Sequence, residues 1–333
     1  MKAMVMVRGK EGGVLELRDV PKPEPGPGDL LMRVKTTALN RADLYQLKGL
    51  YQTEKTAGGP LTIAGLEAAG EVAGIGKNVS GFNVGDRIMA MCPGGYAEFT
   101  TLDHRLAMRV PERLSWEEAA TIPIAYMTEH NALITNARLQ PGETVFVNAA
   151  SSGVGVAAVQ IAKFCGAKRV IGTASAPAKL AVLRTLGMDI GINYRTEKFA
   201  DAVLAATGGA GADVIIDHVG ASSLKENLRC MALKGRLVSV GRLGGGTGEL
   251  DLELLAVKRL QLIGVTNRTR TIDEKAAIAR SVASDLLPGL ADGRLRPVID
   301  RVFALHQALE AQTYMASNAQ IGKIVLKVEG AFG

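Results

Sequence analysis

"VNAASSGVGVAAVQIAK", residues 147–163, reads as a strand end, a turn of small residues and the opening of an apolar helix. In a dinucleotide-binding fold this unit brings the main chain of a helix N-terminus up to a pyrophosphate. A strict G-x-G-x-x-G would place glycine at 150, 152 and 155, whereas the chain has Ala150, Ser152 and Gly155, so the turn alone does not decide the fold. Its surroundings do. From residue 144 the strand-like runs TVFVNA, RVIGTA, DIGINY, DVIIDHV and GRLVSVG alternate with the helical runs VGVAAVQIAKFCG, PAKLAVLRTLG, EKFADAVLAATG and SLKENLRCMALKG. Such alternation predicts a parallel sheet with helices on both faces. Gly166, Gly187 and Gly235 fall where three of these helices would end in a left-handed cap.

The first 120 residues have a different grammar. Short β-type runs (LLMRVKTTAL, GEVAGIG, DRIMAM) are separated by Gly- and Pro-rich turns, which predicts a β-rich domain. The fold class is therefore α/β, with a β-rich domain beside a doubly wound parallel-sheet domain.

With 47% hydrophobic residues in 333, the chain can fill two cores. No apolar run nears the roughly 20 residues needed to span a bilayer, and the N-terminus turns polar too early for a signal peptide. We therefore expect a cytoplasmic protein with no membrane partner. The net charge of +6 is spread along the chain, which argues against a nucleic-acid surface but suits an anionic cofactor. Cys92, Cys165 and Cys230 are odd in number and scattered, as befits free thiols in a reducing compartment.

The predicted phosphate-binding turn comprises Ala150, Ser151, Ser152, Gly153, Val154 and Gly155, with the serine hydroxyls as donors where a glycine is missing. About 20 residues on, an NAD-preferring fold carries an acid for the ribose hydroxyls. This chain has Thr173, Ala174 and Ser175, followed by Lys179. A hydroxyl and an ammonium suit a ribose phosphate, so the cofactor reads as NADPH. Ser175 also fits an N-cap ahead of Pro177.

The stretches ALNRADLYQLKGLY, GLEAAGEVAGIGKNVSGFNVGDRIMA, GGYAEF, AASSGVG, INYRTEKF and IGKIVLKV resemble the zinc-free quinone oxidoreductases of the medium-chain dehydrogenase/reductase superfamily. The resemblance runs over almost the entire chain and is greatest to the branch containing the tumour-suppressor-induced enzyme of animals. It implies a GroES-like catalytic domain (1–124) completed by a C-terminal segment (266–333), a Rossmann domain (125–265) and an active site in the cleft between them. Where zinc-dependent members of the superfamily hold their metal in Cys-x-x-Asp and Gly-His-Glu segments, this chain has NRAD and GLEAAG. Asn40 and Leu66 stand at two ligand positions, and a leucine has no donor for zinc, so no metal is expected. His104, His130, His218 and His306 read as structural residues.

The resemblance implies NADPH-dependent reduction of a small quinone or a reactive enone; an enoyl-thioester or alkenal reductase and an NADPH-binding sensor are the alternatives. Tyr51 matches the family's active-site tyrosine, Tyr45 and Asn40 would line the same cleft, and Asp43 would order their loop, although Asn40 and Asp43 also fit the cap of a helix at RADLYQL. Around the cofactor it places Thr128 beside the nicotinamide and Lys179 and Tyr194 near the 2′-phosphate. Val219, Gly220, Gly241 and Arg242 fall at later strand ends, and Asn267 and Arg268 in a segment that closes over the cofactor. It further implies a homodimer, or alternatively a tetramer, built through the strand at RLQLIGVT.

Overall fold

A computed structural model describes residues 1–9, 12–49 and 62–328. In chain order it begins with β1 (Lys2–Gly9), β2 (Gly12–Asp19), β3 (Asp29–Ala38), α1 (Arg41–Leu47), β4 (Thr62–Ile63) and β5 (Glu67–Ile75). Then come β6 (Arg87–Met91), β7 (Phe99–Asp103), β8 (Met108–Arg109), α2 (Trp116–Ala120) and α3 (Ile122–His130), which runs on into a π-helical turn, Asn131–Asn136. The alternating part follows: β9 (Thr144–Val147), α4 (Gly153–Phe164), β10 (Arg169–Ala174), α5 (Pro177–Thr185), β11 (Ile190–Asn193), α6 (Phe199–Ala206) and β12 (Ala212–Asp217). It continues with α7 (Ala221–Cys230), β13 (Met231–Ser239), α8 (Leu252–Val257) and β14 (Gln261–Gly264). The chain closes with α9 (Ile272–Asp285), α10 (Leu287–Asp292), β15 (Ile299–Ala304), α11 (Ala308–Ala316) and β16 (Lys323–Lys327).

The chain divides into two compact units, one of Met1–Met127, Arg268–Asp292 and Pro297–Gly333, the other of Thr128–Asn267 and Gly293–Arg296. In the first, β15-β16-β3-β5-β6-β8 lie side by side, with β7 also paired to β3, and a smaller sheet has the order β2-β1-β4. Leu30, Met32 and Val34 of β3 point to one face and pack with Ile88, Tyr96, Leu102, Ile324 and Leu326 in a buried core. β16 is the latest strand in sequence, yet it sits between β15 and β3, parallel to the first and antiparallel to the second.

The second unit has the all-parallel order β11-β10-β9-β12-β13-β14, the doubly wound arrangement whose strand order reverses between β9 and β12. Phe146, Ile171, Ile215 and Leu237 fill its core because the inner strands of a sheet covered on both faces bury side chains on each face. Gly166 and Gly187 take left-handed backbone after α4 and α5. Gly235 does not: α7 ends at Cys230, and MALKG belongs to β13, where Lys234 takes the positive φ of 61°. The apolar residues Met231 and Ala232 are drawn into the sheet beside β12, which outweighs the helical pattern of SLKENLRCMALKG.

One close approach tests this packing. A Cβ added at Gly70 of β5 would sit 2.0 Å from the Arg33 carbonyl oxygen, beside the register shift between Val34 and Thr36. Gly70→Ala should therefore destabilise the protein by about 1–3 kcal/mol in urea unfolding. A native midpoint would show that the β3–β5 pair gives way freely.

Candidate active site

In the first unit Asn40, Asp43 and Tyr45, the described residues predicted to share a motif with Tyr51, gather in α1 and its N-cap. Asn40 is its N-cap, and the Asn40 N–H donates to Asp43 Oδ2 at 2.7 Å, so Asp43 secures the first turn. The Tyr96 hydroxyl donates to the same oxygen at 3.0 Å. Both Asn40 amide atoms are engaged: Nδ2 donates to Glu67 Oε1 (2.8 Å), and Oδ1 accepts from Lys323 Nζ (2.7 Å). Lys323 also donates to Glu67 Oε1 and to the Leu39 carbonyl, each at 2.7 Å. The remaining Glu67 oxygen accepts from Ile124 N in the first turn of α3 at 2.8 Å. Asn40 is thus a buried positioning residue, and Tyr45 is half-buried on α1. Tyr51 lies outside the described residues.

Burial pushes the Asp43 carboxyl up to about 7, against the lowering effects of the Asn40 N–H, the Tyr96 hydroxyl and Lys323. Sequence reasoning missed Glu67, Lys323 and Tyr96. Its available signal was a charge heading each of two apolar strands, GLEAAG and GKIVLKV.

In the second unit the strand ends collect the predicted cofactor residues. After β9 the chain turns through Ala149 at a φ of 50°. The Ala149 and Ala150 N–H groups donate to Thr173 Oγ1 (3.0 Å) and Thr173 O (2.9 Å), so the Thr173 hydroxyl supports the turn from beneath and does not project from the tip of β10. Ser152 is the N-cap of α4, its Oγ accepting from Gly155 N at 3.0 Å. A Cβ at Gly155 would lie 2.4 Å from the Ala149 carbonyl oxygen. The turn is therefore pulled tight over the start of α4, whose first residues Gly153 and Val154 leave the helix N-terminus open to an anion, and Ser151 stands half-buried beside them.

Ser175 is not the cap of α5. Ala176 holds that position ahead of Pro177, because Pro at the first helical position fixes the start one residue later. Ser175 and Lys179 are half-buried, and Tyr194, 51% exposed, donates its N–H to Ala174 O at 3.3 Å, so the tips of β10 and β11 adjoin. Asp217 Oδ1 accepts from Val219 N (2.9 Å), Gly220 N (3.1 Å) and Ser223 Oγ (3.1 Å), which folds the chain after β12 into a tight turn with Gly220 at φ 90°. Gly241 packs against the His218 carbonyl, where a Cβ would come within 2.3 Å, and Arg242 beside it is exposed. Asn267 Nδ2 donates to Thr128 Oγ1 at 3.3 Å. Arg268 belongs to the first unit.

The small-residue turn, the open helix terminus and the strand-end loops on both sides of the switch point fit a dinucleotide. Among the described residues no cluster of His, Cys, Asp or Glu suits a metal ion, and no helix is long and apolar enough to cross a membrane.

Residues 26–112 match the alcohol dehydrogenase GroES-like domain family, and residues 153–283 match the zinc-binding dehydrogenase family. The chain is 33% identical to a quinone oxidoreductase of Pseudomonas aeruginosa, over 94% of this chain and 95% of that protein. It is 32% identical to part of a phenolphthiocerol/phthiocerol polyketide synthase subunit of Mycobacterium tuberculosis, where 94% of this chain spans only 14% of the synthase's length. Among solved structures, a quinone oxidoreductase of Pseudomonas syringae superposes with a TM-score of 0.88 at 31% identity, covering 98% of this chain and 100% of that one. A mycobacterial protein solved with NADPH gives 0.88 at 27% over the same shares, and an enoyl reductase, CurK, gives 0.84 at 28% over 97% and 98%.

Asp43 makes the electrostatics of α1 testable. Between the unfolded-state value near 4 and about 7, the folded state binds more protons at this carboxyl than the unfolded state, so its contribution to stability falls as pH rises through that window. The stability of the native protein relative to Asp43→Asn should decline by about 1 kcal/mol per pH unit from about pH 4 to about pH 7. Parallel pH profiles in urea unfolding would show that Asp43 is ionised throughout.

Proposed function

Because the chain belongs to the quinone oxidoreductase family of the medium-chain dehydrogenase/reductase superfamily, we propose that it reduces quinones, and reactive enones with them, using NADPH. The observation that carries this reading is the alignment with the Pseudomonas aeruginosa quinone oxidoreductase, which runs nearly end to end in both chains. Reduction of a quinone to a hydroquinone takes a hydride, which NADPH supplies when bound, and a proton. The chain's own groups bind, orient and protonate.

Preference for the phosphorylated cofactor is supported by the tip of β10, where Ser175 and Lys179 occupy the region that holds an acid in NAD-preferring folds, with Tyr194 on the adjoining strand. The turn Ala150–Gly155 and the start of α4 take the pyrophosphate, and Thr128, with Asn267 bonded to it, takes the nicotinamide end. Val219, Gly220, Gly241 and Arg242 line the far side of the switch point, and Arg268 is a further contact. Tyr51 donates a proton or a hydrogen bond to the acceptor oxygen as negative charge develops there, and Tyr45 shares its motif. Zinc-free chemistry is supported by the donor set: Leu66 offers no ligand, and the Asn40 amide is fully engaged by Glu67 and Lys323.

The likeness to CurK enoyl reductase favours one second reading, hydride delivery to a carbon–carbon double bond of a thioester. The two separate in a single assay: oxidation of NADPH with a para-quinone, an ortho-quinone and a short enoyl thioester, repeated with NADH. Fast quinone turnover favouring NADPH supports the first reading, turnover of the thioester alone the second, and binding without turnover a sensor. Lys179→Ala should weaken NADPH binding by about tenfold or more while leaving NADH within about twofold. An equal effect on both would place the phosphate elsewhere.

We further propose a homodimer through β14, which pairs only with β13 among the described residues and leaves Leu262 40% exposed, with Leu252 and Val257 of α8 also exposed. In light scattering Leu262→Asp should be monomeric; an intact dimer would exclude this edge.

A further inference from the structure

His218 sits at the carboxyl end of β12, buried between two oxygens. Its Nδ1 lies 2.7 Å from the Asn148 carbonyl and its Nε2 2.9 Å from Glu129 Oε1, and the Glu129 side chain is wholly buried. A carbonyl oxygen only accepts, so Nδ1 carries a hydrogen. Nε2 then either donates to a Glu129 carboxylate or accepts from a Glu129 carboxylic acid. In both arrangements the pair holds one proton beyond a neutral imidazole and a free carboxylate, and in both it is electrically neutral. Loss of that proton sets a buried carboxylate against a nitrogen lone pair, which breaks the bond and leaves a net negative charge.

Three of the cofactor segments meet at this pair. Glu129 follows Thr128 on α3, Asn148 leads into the turn Ala149–Gly155, and His218 leads into Val219 and Gly220. We propose that the proton shared by Glu129 and His218 is a positioning element for the dinucleotide: with the proton in place the three segments are latched and cofactor binds tightly, and without it cofactor binds weakly. The latch acts in two ways that have the same sign. It fixes the strand-end loops, and it removes a negative charge from beside a site for an anionic pyrophosphate.

The charged groups that bear on His218 are Glu129 from α3 and Asp217 on its own strand. Burial pulls the imidazole down, but Glu129, the Asn148 carbonyl and Asp217 outweigh it and hold His218 above its ordinary value. The pair therefore holds its proton more tightly than a free imidazole does and gives it up as pH rises. By linkage, bound cofactor raises the affinity of the pair for its proton by the same factor.

This inference rests on the nicotinamide reading, and its test separates the two. Kd for NADH and for NADPH is measured by cofactor fluorescence from about pH 6.5 to about pH 9.5, on the native chain and on Glu129→Gln. NADH lacks the 2′-phosphate, so its series is free of that group's titration. For the native chain Kd should rise by about fivefold or more for both cofactors. In Glu129→Gln it should change by less than about twofold, because the amide N–H donates to the lone pair of a neutral His218 and completes every bond without the extra proton. A flat native profile, or the same slope in Glu129→Gln, overturns the latch while leaving the cofactor reading intact. Failure of both dinucleotides to bind at every pH removes the cofactor reading and the latch together. Should Glu129→Gln not fold, the imidazole NMR titration of His218 in the native chain decides: its apparent pKa should rise when NADH is added, and an unmoved value overturns the proposal.

Discussion

An ammonium buried among oxygens governs the first unit. Lys323 Nζ lies 2.7 Å from Glu67 Oε1, from Asn40 Oδ1 and from the Leu39 carbonyl, and neither Lys323 nor Glu67 has appreciable exposure. Neither charge is tolerable alone: removing one partner of such a pair typically costs about 3–5 kcal/mol, because the other is left uncompensated away from water. The gain lies in direction as much as in energy. Glu67 fixes the start of α3 through Ile124 N–H and the amide of Asn40 through Nδ2, and Asn40 opens α1. One carboxylate therefore sets the positions of the two helices that begin on either side of it, and Asp43 and Tyr96 complete the turn above it.

The second unit uses the same device with backbone groups in place of the ammonium. Asp217 gathers the N–H groups of Val219 and Gly220 and the hydroxyl of Ser223, while Thr173 does the same for Ala149 and Ala150. Loops at the ends of parallel strands have no ladder to satisfy their polar groups, so residues at the strand ends supply the partners, Asp217 for the loop of its own strand and Thr173 for that of its neighbour. The result is a set of short, rigid turns around the switch point, with a helix N-terminus left open between them.

Much of this was legible in the sequence because it is local. The alternation from TVFVNA onward gives the parallel sheet, and apolar periodicity after the AASSG turn places the start of α4 within Gly153–Gly155, where the helix indeed opens at Gly153. Where sheet pairing competes with helical pattern, sequence misleads, as at MALKG, which joins β13, and at Ser175, which yields the cap to Ala176. The polar networks were not legible for a different reason. Lys323 and Glu67 are 256 positions apart, His218 and Glu129 are 89, and no period or motif links residues whose partnership exists only in the folded chain. A charge at the head of an apolar run signals that a partner exists without naming it.

The late position of β16 has a bearing on how the chain is made. During synthesis the strands from β1 to β8 leave the ribosome carrying Glu67, but the ammonium that neutralises it arrives only after residues 128–267 have emerged. In the nascent N-terminal third β7 covers the first half of β3, but Thr36, Thr37 and Ala38 lack the partner strand β16 and an uncompensated carboxylate lies beneath α3. The dinucleotide-binding unit, contiguous in sequence but for four residues, can close while that sheet is still waiting. The part of this chain that is encoded first is the part completed last.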